Sequence, residues 1–323
     1  MTESIETLKK KIATKDAKVA VIGLGYVGLP VACMVASEGY NVIGIDINKT
    51  RVDQIKQGQS PMLEIEPGLS ELIREVVSSR RLSATADYED LRDVDIALIN
   101  VETPIDQNNV PQYQALHAAC ESLGKVMKPG ILVIVESTIA PGTMNGFVRP
   151  VLETASELKS GKDFFLGTCP ERVMPGKLLK NLRVMSRVCG GESPPVAKTM
   201  KLFYQQFVNS DLDEADMITA ELTKTAENAY RDVNIAFANE LALICQSIGA
   251  DFLKVRELVN KSPGRNVLLA GGGVGGHCIP KDPWLLAHGV REILPLKLIP
   301  AARTVNDAMP NVVAEMAKRI LEY

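Results

Sequence analysis

The sequence predicts an α/β protein, with a doubly wound parallel sheet followed by a long helix and a small all-helical domain. Three observations predict it. Short apolar runs alternate with helix-length segments through the first part of the chain. The first of these runs opens into a glycine-spaced turn at residues 23–28, and residues 219–247 continue without a glycine or proline. Alternation of buried-strand and helix patterns is the signature of βαβ units.

Residues 18–46 read KVAVIGLGYVGLPVACMVASEGYNVIGID. An apolar run, Val19 to Ile22, ends in Gly23-x-Gly25-x-x-Gly28, with Tyr26 and Val27 inside the turn. A helical stretch to about Glu38, a turn at Gly39 and a second apolar run closing on Asp46 follow. Strand, glycine turn, helix and strand in that order make a Rossmann-type dinucleotide fingerprint. Its glycines permit the tight turn and the close approach of a pyrophosphate, and the helix N-terminus offers unpaired N–H groups to the phosphates. Asp46 lies 18 residues beyond Gly28, placed to accept hydrogen bonds from ribose hydroxyls and to repel a 2′-phosphate. NAD is therefore expected as cofactor in preference to NADP. A lone GxGxxG is weak, and an incidental glycine turn is the competing reading. The flanking strands and the acid decide for the fingerprint.

Residues 95–101 (DIALINV) and 131–136 (ILVIVE) read as buried strands, the first ending before Thr103 and the second before Ser137 and Thr138. Ligands in such sheets bind beyond the carboxyl ends of the strands, so Thr103 and Thr138 are candidate cofactor contacts. Taken singly, such hydroxyls are more commonly caps or turn formers. Residues 163–169 and 183–189 read as two further strands around Glu171 and Arg172. The glycine-free segment at 219–247 is a helix of about 43 Å. Glu221, Lys224 and Asn228 fall on one stripe of it. An ammonium and an amide one turn apart can hold a reacting oxygen, although most such triplets are solvated polar faces. Ala226, Val233, Phe237 and Leu241 are expected to bury against a neighbour, and the helix is a natural homodimer surface.

The run GGGVGGHCIPKDPW at 271–284 puts five glycines in six residues ahead of Cys278, with Lys281 and Asp282 just after it. Glycine-dense backbone fits a place where the chain must approach a ligand closely. A thiol there, beside an ammonium and a carboxylate, has the parts of an activated nucleophile. The opposing reading is a buried, inert cysteine.

Composition narrows the field. Of 323 residues, 46% are hydrophobic and 23% charged, with a net charge of −3, which argues for no nucleic-acid or membrane partner. The lysine-rich opening segment has no apolar core, so neither a signal peptide nor an anchor is expected. Six scattered cysteines without a CxxC pair and three histidines predict no disulfide framework, no metal site and a cytoplasmic location.

The motifs VAVIGLGYVGLP, VETP, STIAPGT, CPERVMPG, ELTKTAENAYRDVNIAFANE and GGGVGGHCIPKDP occur in that order. Together they resemble the UDP-glucose/GDP-mannose dehydrogenase family over nearly the whole chain. The PERVMPG and GVGGHCIP variants are similar to the branch acting on UDP-N-acetylhexosamines, N-acetylmannosamine above all; the glucose branch has a second acid at the position of Pro175. The resemblance implies oxidation of a sugar C6 alcohol to a carboxylate with two NAD⁺. It assigns Cys278 as the nucleophile that forms a thiohemiacetal and then a thioester. It makes Lys224 and Asn228 oxyanion stabilisers, and gives Asp282 a part in proton movement or in positioning water. Glu171 and Thr138 would stand by the hydrolytic water. Glu171, Arg172, Val173, Lys224, Asn228, Arg265 and Gly275 would contact the nucleotide sugar.

This reading divides the chain into an NAD-binding domain over 1–212, a helical domain over 213–305 and a stub over 306–323. The stub, one helix over roughly 309–323, stands where family members continue into a nucleotide-sugar-binding domain. The chain also departs from the family pattern at Gln112, where an aspartate is usual, and at Glu102, where a small residue or proline is. Two other functions remain open at this point. One is a two-electron β-hydroxyacid-type dehydrogenase, which needs no cysteine. The other is a non-catalytic NAD-binding protein.

Overall fold

The computed structural model describes residues 2–62, 66–173, 176–291 and 293–322. Met174 and Pro175 of the PERVMPG motif, and Tyr323, lie outside them. The chain divides into two compact units, Met1–Pro104 with Gln112–Thr223, and Ile105–Pro111 with Lys224–Tyr323.

The first unit is built on an eight-stranded sheet: β1 (Lys18–Ile22), β2 (Asn41–Ile45), β3 (Leu82–Thr85), β4 (Ile96–Ile99), β5 (Leu132–Val135), β6 (Phe165–Thr168), β7 (Arg187–Gly191) and β8 (Leu212–Asp216). The spatial order is β3-β2-β1-β4-β5-β6-β7-β8. Every pairing is parallel except β6 with β7, which is antiparallel with Gly167 opposite Gly191. Strands buried on both faces read as continuous apolar runs. Accordingly, Val19, Val21, Leu98 and Ile134 enter one core, while Ala20, Ile22, Ile99 and Val135 enter the other. The order of connection reverses between β1 and β4. That is the switch point at which such sheets bind ligands.

The expected α/β class, sheet and long helix are all observed. Two details differ from the sequence reading, and a third lay outside it. The segment expected as a strand at 183–189 begins instead as the end of the helix Leu178–Val184, and β7 starts at Arg187. The C-terminal helix runs from Leu298 to Leu321, with Pro310 inside it, rather than starting near Met309. An interior proline removes only one ladder hydrogen bond and is tolerated where packing holds the helix. Finally, the polar opening segment is a helix, Thr2–Thr14. Its Ile5, Leu8 and Ile12 enter the first core, each contributing roughly 1.5–3 kcal/mol if fully buried.

In the second unit the helix Met217–Ile248 continues beyond Thr223 and is followed by the helices Phe252–Asn260, Asp282–His288 and Leu298–Leu321. Of the face expected to bury, Ala226 and Phe237 are exposed and Val233 and Leu241 half-buried. Among the described residues this apolar stripe is only partly covered.

Candidate active site

In the first unit, the segments leaving β1, β2, β4, β5 and β6 at their carboxyl ends carry the residues singled out in the sequence. Gly23 has φ +91° and donates its N–H to the Ile45 carbonyl at 2.8 Å. A Cβ at this position would lie 2.6 Å from the Asn100 carbonyl. At Gly28, the start of the helix Gly28–Ser37, a Cβ would lie 1.9 Å from the Gly23 carbonyl, whereas Gly25 faces open space. The loop therefore folds tightly on itself and leaves its apex clear. Val27 occupies the N-cap position without a side-chain cap bond. The Tyr26 hydroxyl lies 3.5 Å from Glu66. Glu66 in turn accepts N–H bonds from Gly176 at 3.0 Å and Leu178 at 2.5 Å.

Asp46 directly follows β2 and is buried. Its carboxylate accepts the N–H groups of Leu24 at 2.9 Å and Asn48 at 2.8 Å. It also takes the Arg51 guanidinium at 2.8 Å, a partner the sequence reading did not identify. Thr103, after β4, donates its hydroxyl to the Thr138 carbonyl at 2.6 Å. That bond ties together the chain segments leaving β4 and β5. Glu102 is exposed.

Beneath Glu171 lies a charged cluster that sequence reasoning missed. Arg187, 1% exposed, places one guanidinium nitrogen 2.9 Å from Glu171 Oε1 and the other 3.6 Å from Glu136 Oε1. Its guanidinium carbon stands 5.0 Å from the Tyr204 ring centroid. Glu136 also accepts the Tyr204 hydroxyl at 2.7 Å and the Asn100 amide at 2.6 Å. Burial pushes the Glu136 carboxyl above its usual range, against the pull of Arg187. Among the described residues, Glu171 Oε2 is buried without a hydrogen-bond partner. The available signal was an arginine in the otherwise apolar RVC of β7. Arg172 is directed elsewhere, donating to the Ser186 carbonyl at 3.1 Å and its hydroxyl at 2.9 Å. Val173 is half-buried and packs on the first core. Glu221 does not act as a solvated member of a stripe. It is 1% exposed and accepts the N–H groups of Gly142 and Met144, each at 2.8 Å.

In the second unit, Cys278 is exposed while the other five cysteines are buried. That removes the buried, inert reading. Its carbonyl accepts the N–H groups of Lys281 at 3.1 Å and Asp282 at 2.8 Å, so the thiol stands one turn before the helix Asp282–His288. Asp282 is fully buried. Its Oδ2 takes the Asn228 amide at 2.5 Å and its Oδ1 lies 3.2 Å from Lys281 Nζ. The structure thus brings Asn228 and Asp282 together beside the thiol segment. Lys224 is half-buried one turn earlier on the Asn228 helix. Gly275 faces open space. Arg265 is exposed and donates to the Pro263 carbonyl at 2.8 Å.

No helix among the described residues is long and apolar enough to cross a membrane. The chain matches the NAD binding domain of the UDP-glucose/GDP-mannose dehydrogenase family over residues 17–208 and the family's central domain over residues 218–308. It is 40% identical over 305 residues to a UDP-N-acetyl-D-mannosamine dehydrogenase of Pyrococcus horikoshii, an alignment covering 94% of this chain and 72% of the relative. It is equally 40% identical over 307 residues to an NDP-N-acetyl-D-galactosaminuronic acid dehydrogenase of Ralstonia nicotianae, covering 93% and 71%. A solved structure of the UDP-D-ManNAc dehydrogenase from Pyrococcus horikoshii has a TM-score of 0.89 at 40% identity, covering 94% of this chain and 72% of that one. The resemblance drawn from the six motifs is borne out: the chain belongs to the UDP-glucose/GDP-mannose dehydrogenase family.

Proposed function

We propose that this protein catalyses the NAD-dependent, four-electron oxidation of the C6 alcohol of a UDP-N-acetylhexosamine, namely UDP-N-acetylmannosamine, to the uronic acid. In sum, the alcohol, one water and two NAD⁺ yield the carboxylate, two NADH and three protons. The observation that carries this reading is Cys278, the exposed thiol among six cysteines, next to the Asn228–Asp282 pair. The relatives that act on N-acetylated sugars support the choice of substrate.

NAD, when bound, supplies the acceptor for the hydride in each oxidation. The site fits it: the clear space at Gly25 admits a pyrophosphate, and Asp46 stands at the end of β2 where ribose hydroxyls would lie. Gly23, Tyr26, Val27, Gly28, Thr103 and Thr138 would complete the cradle.

The remaining chemistry falls to side chains. The Cys278 sulfur attacks the aldehyde carbon, forming a C–S bond, and the carbonyl oxygen becomes a thiohemiacetal hydroxyl after taking a proton. Oxidation of that adduct leaves a thioester. Water then attacks the thioester carbon, the C–S bond breaks and the thiol returns. Lys224 and Asn228 stabilise the oxyanion. One N–H of the Asn228 amide is committed to Asp282, which leaves the other for the reacting oxygen. Asp282, being buried, acts by holding that amide. Glu171, with an unpartnered carboxylate oxygen, and Thr138 are the first unit's candidates for taking the proton of the hydrolytic water. Arg265 and Gly275 contact the nucleotide sugar, whereas Arg172 and Val173 are engaged with Ser186 and the first core.

We assign residues 1–212 to cofactor binding and 213–305, with the remainder of the helix Leu298–Leu321 packed on them, to catalysis. The exposed stripe of Tyr230 (73%), Phe237 (55%), Ile244 (50%) and Ile248 (75%) supports a homodimer formed through the long helix. Six free cysteines suit a reducing cytoplasm. The test is NADH yield per UDP-N-acetylmannosamine, compared with UDP-N-acetylglucosamine and UDP-glucose. Two NADH per sugar support the reading; one NADH, unaffected by Cys278→Ser, would favour a two-electron dehydrogenase.

A further inference from the structure

A chain of buried polar side chains ends on the glycine run that carries the thiol. It starts at Asp232 and Arg303, 1% and 2% exposed, whose side chains pair at 2.6 Å. The Asn306 amide donates to the Asp232 carbonyl at 3.0 Å and to its carboxylate at 2.8 Å. With its nitrogen committed there, Asn306 presents its oxygen to Asn239, whose amide donates to it at 2.9 Å. Asn239 must then turn its own oxygen outward, and it accepts the Gly271 N–H at 2.9 Å. The two acceptors on Asp232 fix the donor–acceptor direction of every later link. Asn239 and Asn306 are 0% and 1% exposed, so the two amide links of the series are sealed from water, while at its far end Arg303 also reaches the exposed Asp307.

A second contact lies beside it. Pro310 has no N–H to give to the Asn306 carbonyl, so the helix Leu298–Leu321 has a notch at this point. Gly273 fills the notch with φ +110°, and a Cβ there would lie 3.0 Å from the Pro310 ring and 3.1 Å from the Asn306 carbonyl. Residues 271 and 273 are thereby gripped just before Cys278. On its other side the thiol segment is held through Asp282 to Asn228. Asn228 and Asn239 are eleven residues apart on one helix, about three turns, and so share a face separated by roughly 16 Å. The intervening chain from Gly271 to Asp282 could extend to about 36 Å. A segment with that much slack, with five glycines in its first six residues, takes its position from its anchors.

We infer that Asn239 is a positioning residue, the upstream anchor that fixes where along the helix the Cys278 loop stands relative to Asn228. The inference rests on the reading of Cys278 as the nucleophile. Loss of the anchor displaces the thiol, and Gly275 with it, and leaves the cofactor-binding groups and the other sugar contacts in place. The expected signature is therefore a lower kcat with little change in KM, and NADH per sugar falling below two as uncaptured aldehyde escapes. A displacement of about 1 Å lowers turnover by roughly a hundredfold.

The experiment compares the wild-type chain, Asn239→Leu and Cys278→Ser. It measures steady-state kinetics, NADH per sugar, NAD affinity and hydrogen–deuterium exchange over residues 271–278. In the wild type, the Gly271 amide should exchange at least about tenfold more slowly than an open loop amide. This measurement needs no variant and no turnover, so it decides even if Asn239→Leu does not fold. In Asn239→Leu that protection is lost, kcat falls and NAD affinity is unchanged. An unprotected Gly271 amide in the wild type overturns the inference. So does an Asn239→Leu protein that is merely less stable, with wild-type kcat and two NADH per sugar. If instead Cys278→Ser still makes acid, the nucleophile reading is what fails.

Discussion

Arg187→Met removes the cation from beneath the strand ends and leaves two buried carboxylates facing each other. Arg187 is 1% exposed and lies 2.9 Å from Glu171 and 3.6 Å from Glu136. Methionine fills most of the volume but none of the charge. Removing one partner of a buried pair costs about 3–5 kcal/mol, and loss of the stacking over Tyr204 adds about 0.5–2 kcal/mol. For an m-value near 2 kcal/mol/M, a loss of about 4 kcal/mol lowers the urea midpoint by about 2 M. The pH dependence has a definite sign. Burial raises the Glu136 pKa above its ordinary 4.5, so the native state holds this proton more tightly than the unfolded chain does. The penalty for its charge is then fully present above the folded pKa and fades as pH falls through it. Without Arg187 the pKa rises further, so the gap between variant and wild type narrows on acidification. Addition of Glu136→Gln to the variant restores part of the loss at neutral pH. A neutral-pH midpoint within about 0.5 M of wild type, or a gap that widens on acidification, would refute the reasoning.

Gly28→Ala places a methyl group 1.9 Å from the Gly23 carbonyl, so the loop must open. NAD affinity, read by fluorescence titration, should fall by at least about tenfold, the equivalent of ~1.4 kcal/mol, and unchanged affinity would contradict the assignment of this loop. Phe237→Asp puts a charge in the exposed stripe of the long helix; sedimentation should show a dimer giving way to a monomer, and an unaltered dimer would place the interface elsewhere.

What could be read from sequence follows from which signals are local. The strands at 96–99 and 132–135 are apolar on both faces, and such runs announce themselves without knowledge of neighbours. The fingerprint from Gly23 to Asp46 is equally local, since its glycines answer to contacts within one βαβ unit. By contrast, β8 reads LDEAD with only its first residue buried and pairs with β7 alone; a polar edge strand has no pattern of its own. Arg187 could be seen as a charge in a strand, but its partners Glu136, Glu171 and Tyr204 come from separate elements. The same holds at the candidate site. Cys278 stood out because five glycines precede one thiol, whereas Asn239 and Asn306 are ordinary residues within helices until folding sets their side chains 2.9 Å apart. The helix Thr2–Thr14 was hidden by its run of lysines, which masks the regular i, i+3, i+7 spacing of Ile5, Leu8 and Ile12.

The central claim is that Cys278 takes the sugar through both oxidations. It is tested most directly by incubating a limiting amount of UDP-N-acetylmannosamine with excess NAD⁺ and either the wild-type chain or Cys278→Ser, then counting NADH and uronic acid formed. The account predicts two NADH and one uronate per sugar from the wild type, and no uronate from Cys278→Ser while NAD binding is retained. One NADH per sugar from the wild type, or uronate from the serine variant at the wild-type rate, would contradict it.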